Sequence, residues 1–308
     1  LFLANKEEAV GFNKNTLPAS VVGTMFKGLE GQYEPVIKQL AGQKELVTSL
    51  TGTLPALTSA SMLARADMGG GIAPGAVSKE NDVDVETFDY KIKRFQGRTI
   101  LPDHIRIDLD GYKNMKALET FGRQCMITST YKVNAETQTL LSSTSLNETG
   151  SVNNGAWSSS SSTPLVDLDQ IFDAIGDGDT LFLGRDIRKD LVKHPDIIAE
   201  TSNFSAGAVN VGKLLDVLFK LYPHLTNIVI GESMYNTANE GQAVSIGFQF
   251  DGLVWAGWSD ALAWVEQTGV NKHEVERISA ARGFEISYEE SCDQVRTTKE
   301  KGYVLTGA

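Results

Sequence analysis

Apolar residues recur near helical spacing across residues 112–142, at Met115, Leu118, Phe121, Cys125, Met126, Val133, Leu140 and Leu141. An unbroken helix over that span would run about 45 Å at the standard rise per residue. That is long for the interior of a compact domain and suits a spine along which other elements lie. Asp108 or Asp110 is placed to cap its start, and Thr128, Ser129 and Thr130 weaken its middle.

The composition changes directly after this helix. Ser142, Ser143 and Ser145 on one side and serines at 158–162 on the other flank a polar, low-complexity stretch at 147–155, with Trp157 beside it. This predicts a boundary. Residues 165–265 then alternate helix and strand. Short helices are expected over 167–175, 187–192 and 196–200, and an amphipathic one over 209–222 with Val211, Leu214, Leu215, Leu218 and Phe219 on one face. Strands are expected over 180–183, 227–230 and within 243–255. The last strands, 277–280, 284–288 and 303–305, have no partners of their own in sequence. They are expected to return to a sheet begun before residue 112. The class is α+β.

Upstream, residues 1–50 read as an arm. Apolar residues are scattered, Pro18 and Pro35 interrupt it, and Gly23, Gly28 and Gly31 lie between them. Residues 51–107 read as irregular β structure around a glycine cluster at 69–75. Val83 and Val85 alternate in one phase and Phe88, Tyr90 and Ile92 in the other, which implies a bulge near Glu86 and Thr87. Gln96-Gly97 suits a turn before Thr99-Ile100-Leu101-Pro102. Charge is sorted along this stretch: Asp82, Asp84 and Glu86 come first, then Lys91, Lys93, Arg94 and Arg98. A solvated edge hairpin accounts for that pattern, and so does a charged arm that docks on another subunit.

The formal charge of −11 argues against a protein that grips nucleic acid by its phosphates. It is compatible with a wall around packed DNA, from which the polymer is weakly repelled. Cys125 and Cys292 lie far apart with no metal or disulfide spacing, so a reducing compartment is expected. No apolar run approaches a bilayer span, and residue 1 is Leu, which leaves open a trimmed start or a removed leader.

Catalytic signatures break off part-way. His273-Glu274-Val275-Glu276-Arg277 has Arg277 where a zinc-protease helix needs its second histidine. Gly231-Glu232-Ser233-Met234-Tyr235 lacks the closing glycine of a nucleophile elbow. The glycines at 69–75 lack the Gly-Lys-Ser/Thr that holds phosphates. Asp177-Gly178-Asp179 and Asp108-Leu109-Asp110-Gly111 lack the rest of a calcium loop. His104, His194, His224 and His273 are dispersed, and two of them adjoin proline. No cofactor, metal or active site is expected.

The order of segments resembles the major capsid proteins of tailed bacteriophages, the Hong Kong 97-type fold, which encapsulin shells share. Trp157, Pro164 and Asp167, then Thr180-Leu181-Phe182-Leu183-Gly184-Arg185-Asp186 and Leu191-Val192-Lys193-His194-Pro195, are similar to the start of the family's axial domain. Tyr235-Asn236-Thr237-Ala238-Asn239-Glu240-Gly241 is similar to a later loop of that domain. Gly283-Phe284-Glu285-Ile286-Ser287-Tyr288 and Lys301-Gly302-Tyr303-Val304-Leu305 are similar to the closing strands.

The resemblance covers most of residues 60–308. It implies an N-terminal arm (1–50), an extended loop with flanking peripheral-domain strands (51–107), the spine helix of the peripheral domain (108–146), an axial domain (147–270) and return strands of the peripheral domain (271–308). It also implies self-assembly into hexamers and pentamers of an icosahedral shell around double-stranded viral DNA. The shell would be a virion component assembled in the host bacterial cytoplasm, with decoration, portal and scaffold proteins as further partners and no membrane. Asp82, Asp84, Glu86, Lys91, Lys93, Arg94 and Arg98 would then form inter-subunit contacts through the extended loop. An encapsulin-like nanocompartment is the nearest alternative. A cytoplasmic α/β enzyme using Asp177, Asp179, Glu232 and His194 is a more distant one.

Overall fold

The computed structural model describes residues 24–27, 29, 33–56, 87–102, 112–204, 209–238, 242–278, 283–298 and 301–308. The first half of the chain holds α1 (Ile37–Leu40), β1 (Gln43–Val47), β2 (Thr51–Pro55), β3 (Thr87–Lys91), β4 (Lys93–Pro102), α2 (Tyr112–Ser142) and β5 (Glu148–Ser151). Next come α3 (Pro164–Ile175), β6 (Thr180–Gly184), α4 (Arg185–Lys193), α5 (Pro195–Phe204), α6 (Val211–Leu221) and β7 (Asn227–Gly231). The rest is strand: β8 (Met234–Asn236), β9 (Ile246–Phe248), β10 (Val254–Gly257), β11 (Leu262–Gln267), β12 (His273–Ile278), β13 (Gly283–Arg296) and β14 (Gly302–Thr306). These elements form two compact units. One contains Lys93–Val133 and Gln267–Cys292 with the described part of Leu1–Pro35; the other contains Val36–Ile92, Asn134–Glu266 and Asp293–Ala308.

In the first unit β13 lies between β12 and β4 and is antiparallel to both. The first part of α2 packs here, burying Cys125 and Met126 with Phe26, Leu29, Leu101, Ile286 and Tyr288. The mid-helix hydroxyls all find acceptors: Thr128 Oγ1 donates to the Gln124 carbonyl at 2.8 Å, Ser129 Oγ to Phe95 O at 2.5 Å, and Thr130 Oγ1 to Tyr33 O at 3.0 Å. Ser129 and Thr130, which weaken the helix by propensity, thus become its attachment points, while Thr128 bonds back within the helix.

Cys125 Sγ donates to Ile286 O at 3.3 Å, and burial pushes this thiol up from an ordinary 9.0 to about 12. Below about pH 9 the thiol is protonated whether the chain is folded or unfolded. Between about 9 and 12 only the unfolded chain releases the proton, so stability falls as pH rises through that window. Denaturant titrations from pH 8 to 11 should show a decline that is shallower in Cys125→Ala. The folded protein at pH 7.5 should also leave Cys125 unlabelled by maleimide. Rapid labelling under native conditions would refute the buried thiol.

In the second unit a five-stranded sheet runs β5-β14-β10-β6-β7. Every residue of β6 is buried, as its continuous apolar run requires of a central strand. β6 and β7 are parallel, so the chain must cross over between them, and α4, α5 and α6 make that crossover. Leu168, Ile171 and Phe172 of α3, Leu191 of α4, and Leu214 and Leu218 of α6 share one core with Leu181, Leu183, Val254 and Leu305 of the sheet. A second core gathers Val47, Phe88, Tyr90, Ile92, Ala263 and Val265. β2 pairs with β3, and β1 lies beside β11.

Several expectations need correction. Gln96-Gly97 is no turn: both residues lie inside β4, opposite Glu289 and Tyr288 of β13. Glycine is required there because a Cβ at 97 would come within 1.9 Å of the Cys125 carbonyl oxygen. β3 and β4 do not form a hairpin together; β3 pairs with β2, and β4 with β13. β12 and β13 join β4 as expected, but the last strand, β14, sits between β5 and β10 in the other sheet. The serine-rich stretch is folded into the second unit, with β5 inside it and Trp157 1% exposed. Within the presumed arm, β1 is already a sheet strand. The bulge expected near Glu86 lies outside the described residues, although Phe88, Tyr90 and Ile92 do share the buried phase.

Candidate assembly surfaces

On β4, Arg94 and Arg98 share one face, because residues two or four apart on a strand point the same way. Arg94 Nε lies 3.5 Å from Glu289 Oε1, and Arg98 Nη1 lies 3.5 Å from Glu285 Oε1, so β4 and β13 share a ladder of diagonal ion pairs. Both arginine side chains are 63% exposed. Pairs this loose and wet are worth at most about 1 kcal/mol each. Lys93 and Lys91 are exposed too, and the Lys91 backbone N–H donates to Asp293 Oδ2 at 2.7 Å. Asp82, Asp84 and Glu86 lie outside the described residues. The two arginines therefore meet acids of their own chain, which sequence spacing did not reveal.

Each residue of the enzyme alternative has partners of its own. Asp179 is held as a structural acceptor, taking the Ser259 N–H at 2.6 Å and Ser259 Oγ at 2.8 Å. Glu232 pairs with Arg188. Asp177 faces His224, with 3.8 Å between Oδ1 and Nδ1.

His194 is 2% exposed and superficially completes a Ser-His-Asp arrangement. Its Nε2 is 3.1 Å from Ser162 Oγ, and its Nδ1 is 3.7 Å from Asp196 Oδ2. The Asp196 backbone N–H, however, donates to Nδ1 at 3.3 Å, which places the ring proton on Nε2 in the neutral imidazole. Nε2 then donates, to Ser159 O at 3.2 Å or to Ser162 Oγ, and is not free to take a proton from that hydroxyl. Ser162 is itself buried at 3% exposure. The group is a clamp on the serine-rich loop. No cluster of three or more metal-ligating side chains occurs among the described residues.

Apolar side chains stand exposed on the hairpin β8–β9, where Met234 and Ile246 are 60% and 64% exposed. Next to it, Arg185 lies over the Phe248 ring at 3.5 Å. No helix among the described residues is long and apolar enough to cross a membrane.

The crystal structure of a phage-related protein from Bordetella bronchiseptica RB50 superposes on this chain with a TM-score of 0.65 at 16% identity, over 94% of this chain and 97% of that one. The bacteriophage PhiM1 mature capsid gives 0.50 at 8% identity, over 89% and 87%. The fold is that of a phage capsid subunit. A virus-like particle from Pyrococcus furiosus shares the capsid fold at a TM-score of 0.51 and 11% identity, over 93% of this chain and 96% of that one. No protein-family model matches the sequence, and no curated protein is significantly similar to it. The capsid fold is thus recognisable in three dimensions at identities where sequence comparison finds nothing.

Proposed function

We propose that the chain is the major capsid protein of a tailed bacteriophage, and that it assembles into pentamers and hexamers of an icosahedral shell around double-stranded DNA. The observation that carries this reading is coverage. The capsid fold accounts for nearly the whole chain, with 94% of it matched to a phage-related protein that is itself matched over 97%. Little of the chain is left over to form a separate catalytic domain. The net charge of −11 suits a wall that does not bind the packed polymer tightly. Decoration, portal and scaffold proteins are the further partners this role requires, with assembly in the host cytoplasm.

In this reading the segment containing Asp82, Asp84 and Glu86 reaches a neighbouring subunit, and Lys91, Lys93, Arg94 and Arg98 contribute to the same contact. Exposed, weakly paired arginines can exchange partners at low cost, which favours register between subunits more than raw affinity. The likeness to a virus-like particle supports a second reading, a shell with a cargo other than viral DNA.

Size-exclusion chromatography with negative-stain electron microscopy tests the assignment. Rings of five and six, or closed hollow particles, are expected. Nucleic acid inside would favour the phage shell, and protein inside the second reading. Lys91→Glu/Lys93→Glu should lower particle yield while leaving the subunit folded. A uniform monomer with a scaffold supplied would overturn the shell assignment.

A further inference from the structure

Residues 133–271 contain 17 acidic and six basic residues, so this stretch carries the chain's entire net charge of −11. No lysine or arginine occurs between Lys132 and Arg185. Helix α3 and the turn after it lie in this interval, and they border an open cleft of about 430 Å³. Its floor is aromatic: the Phe172 ring centroid lies 4.8 Å from that of Tyr222 and 4.7 Å from that of His224. Its rim is acidic, made by Asp169, Asp173 and Asp177, and no lysine or arginine lines it among the described residues. Tyr222 Oη donates to Asp169 Oδ1 at 2.9 Å, which holds that carboxylate at the rim. His224 Nε2 is buried with no hydrogen-bond partner among the described residues. Asp173 is exposed and has no ion pair among them.

We infer that this cleft receives a basic side chain from helix α4 of a neighbouring copy, with Lys193 as the leading residue. The inference rests on the shell assignment and adds one of its contacts. A carboxylate rim over aromatic faces favours an ammonium or guanidinium group, through charge-assisted hydrogen bonds and cation–π attraction. Within residues 133–271 the only cations are Arg185, Arg188, Lys189 and Lys193 of α4, and Lys213 and Lys220 of α6. On α4, Arg188 is engaged by Glu232, Lys189 by Asp186 at 2.9 Å, and Arg185 by Phe248. Lys193 is exposed and has no ion partner among the described residues.

α3 packs on β14 and β10, whereas α4 packs on β6 and β7, so the acidic and basic helices cover different parts of one sheet. Contact between two different surfaces of one subunit is heterologous, and repeated about an axis it closes a ring. The acidic cleft and α4 supply two such surfaces.

The test is a charge-swap cycle on the full chain: Asp173→Lys, Lys193→Asp and the double variant, each compared with wild type by chromatography and electron microscopy. Each single variant should reduce the assembled fraction about tenfold, and the double variant should recover most of it. Circular dichroism verifies that each subunit is folded. Asp173→Asn, which removes charge without reversing it, should give a smaller loss and keeps the test readable if the lysine variant misfolds. Single variants that assemble like wild type overturn this contact and leave the shell assignment standing, and so does a double variant with no recovery. A wild-type chain that never assembles overturns the shell assignment and this contact with it.

Discussion

Asp167→Ala should cost the second unit about 4 kcal/mol, roughly the sum expected for stripping a buried carboxylate of its hydrogen bonds. Asp167 is fully buried. Its Oδ2 accepts the Trp157 indole N–H at 2.7 Å, and its Oδ1 accepts the Asn153 backbone N–H at 3.0 Å and Asn153 Nδ2 at 2.8 Å. No ion pair to Asp167 occurs among the described residues, so hydrogen bonds hold the carboxylate. Its position in the first turn of α3 adds the favourable end of the helix dipole.

Alanine leaves the buried Trp157 indole N–H without its acceptor and removes two bonds from Asn153, and it loosens Trp157 from the core it shares with Leu168 and Ile171. At the usual entropy of unfolding, about 4 kcal/mol corresponds to a fall in Tm of about 12 °C. Asp167→Asn keeps the shape but turns an acceptor into a donor facing donors, so it should recover less than half the loss. A calorimetric shift under about 3 °C for Asp167→Ala would show that the serine-rich loop is held by something else.

The same loop shows where sequence was legible and where it was not. α2 was readable to both ends, because its apolar spacing is sustained and the chain changes character at Ser142. β6 was readable because Thr180-Leu181-Phe182-Leu183 is an apolar run too short for a helix. β5 was not readable. Glu148, Thr149, Gly150 and Ser151 carry no strand pattern, and they become a strand only because β14, from the far end of the chain, lies parallel beside them. Gly150 allows that approach, since a Cβ there would meet Tyr303 Oη at 1.8 Å.

For the same reason the destination of β14 could not be read. Its buried residues Tyr303, Val304 and Leu305 would suit either sheet. The α3 cleft depends on Tyr222 and His224, which arrive from beyond α6, so only the run without lysine or arginine hinted at it. Of the charged segment, sequence showed the sorting but not that Glu285 and Glu289 face the arginines.

Gly97→Ala is expected to be the most damaging single methyl addition in the first unit, costing about 3 kcal/mol or more. Gly-Xaa pairs usually mark turns because glycine tolerates unusual backbone angles. Gly97 is needed for a different reason, which is space. A Cβ there would lie 1.9 Å from Cys125 O and 2.8 Å from Cys125 C, both backbone atoms of α2, so no side-chain rotation can relieve the clash. β4 and α2 would have to separate. The contacts between them, Ser129 Oγ to Phe95 O and Lys132 Nζ to Gln96 O at 2.6 Å, would lengthen together. Separation would also open the layer that hides Cys125.

Two readouts should therefore move at once. The denaturation midpoint should fall, and Cys125 should become reactive toward maleimide under native conditions. Gly212→Ala serves as the control, because a Cβ there meets only Asn210 Oδ1 at 3.5 Å and the residue lies in the first turn of α6. That change should be neutral or stabilise by up to about 1 kcal/mol. If Gly97→Ala unfolds at the wild-type midpoint with Cys125 still protected, the close packing of β4 on α2 is wrong, and with it the placement of the helix in the first unit.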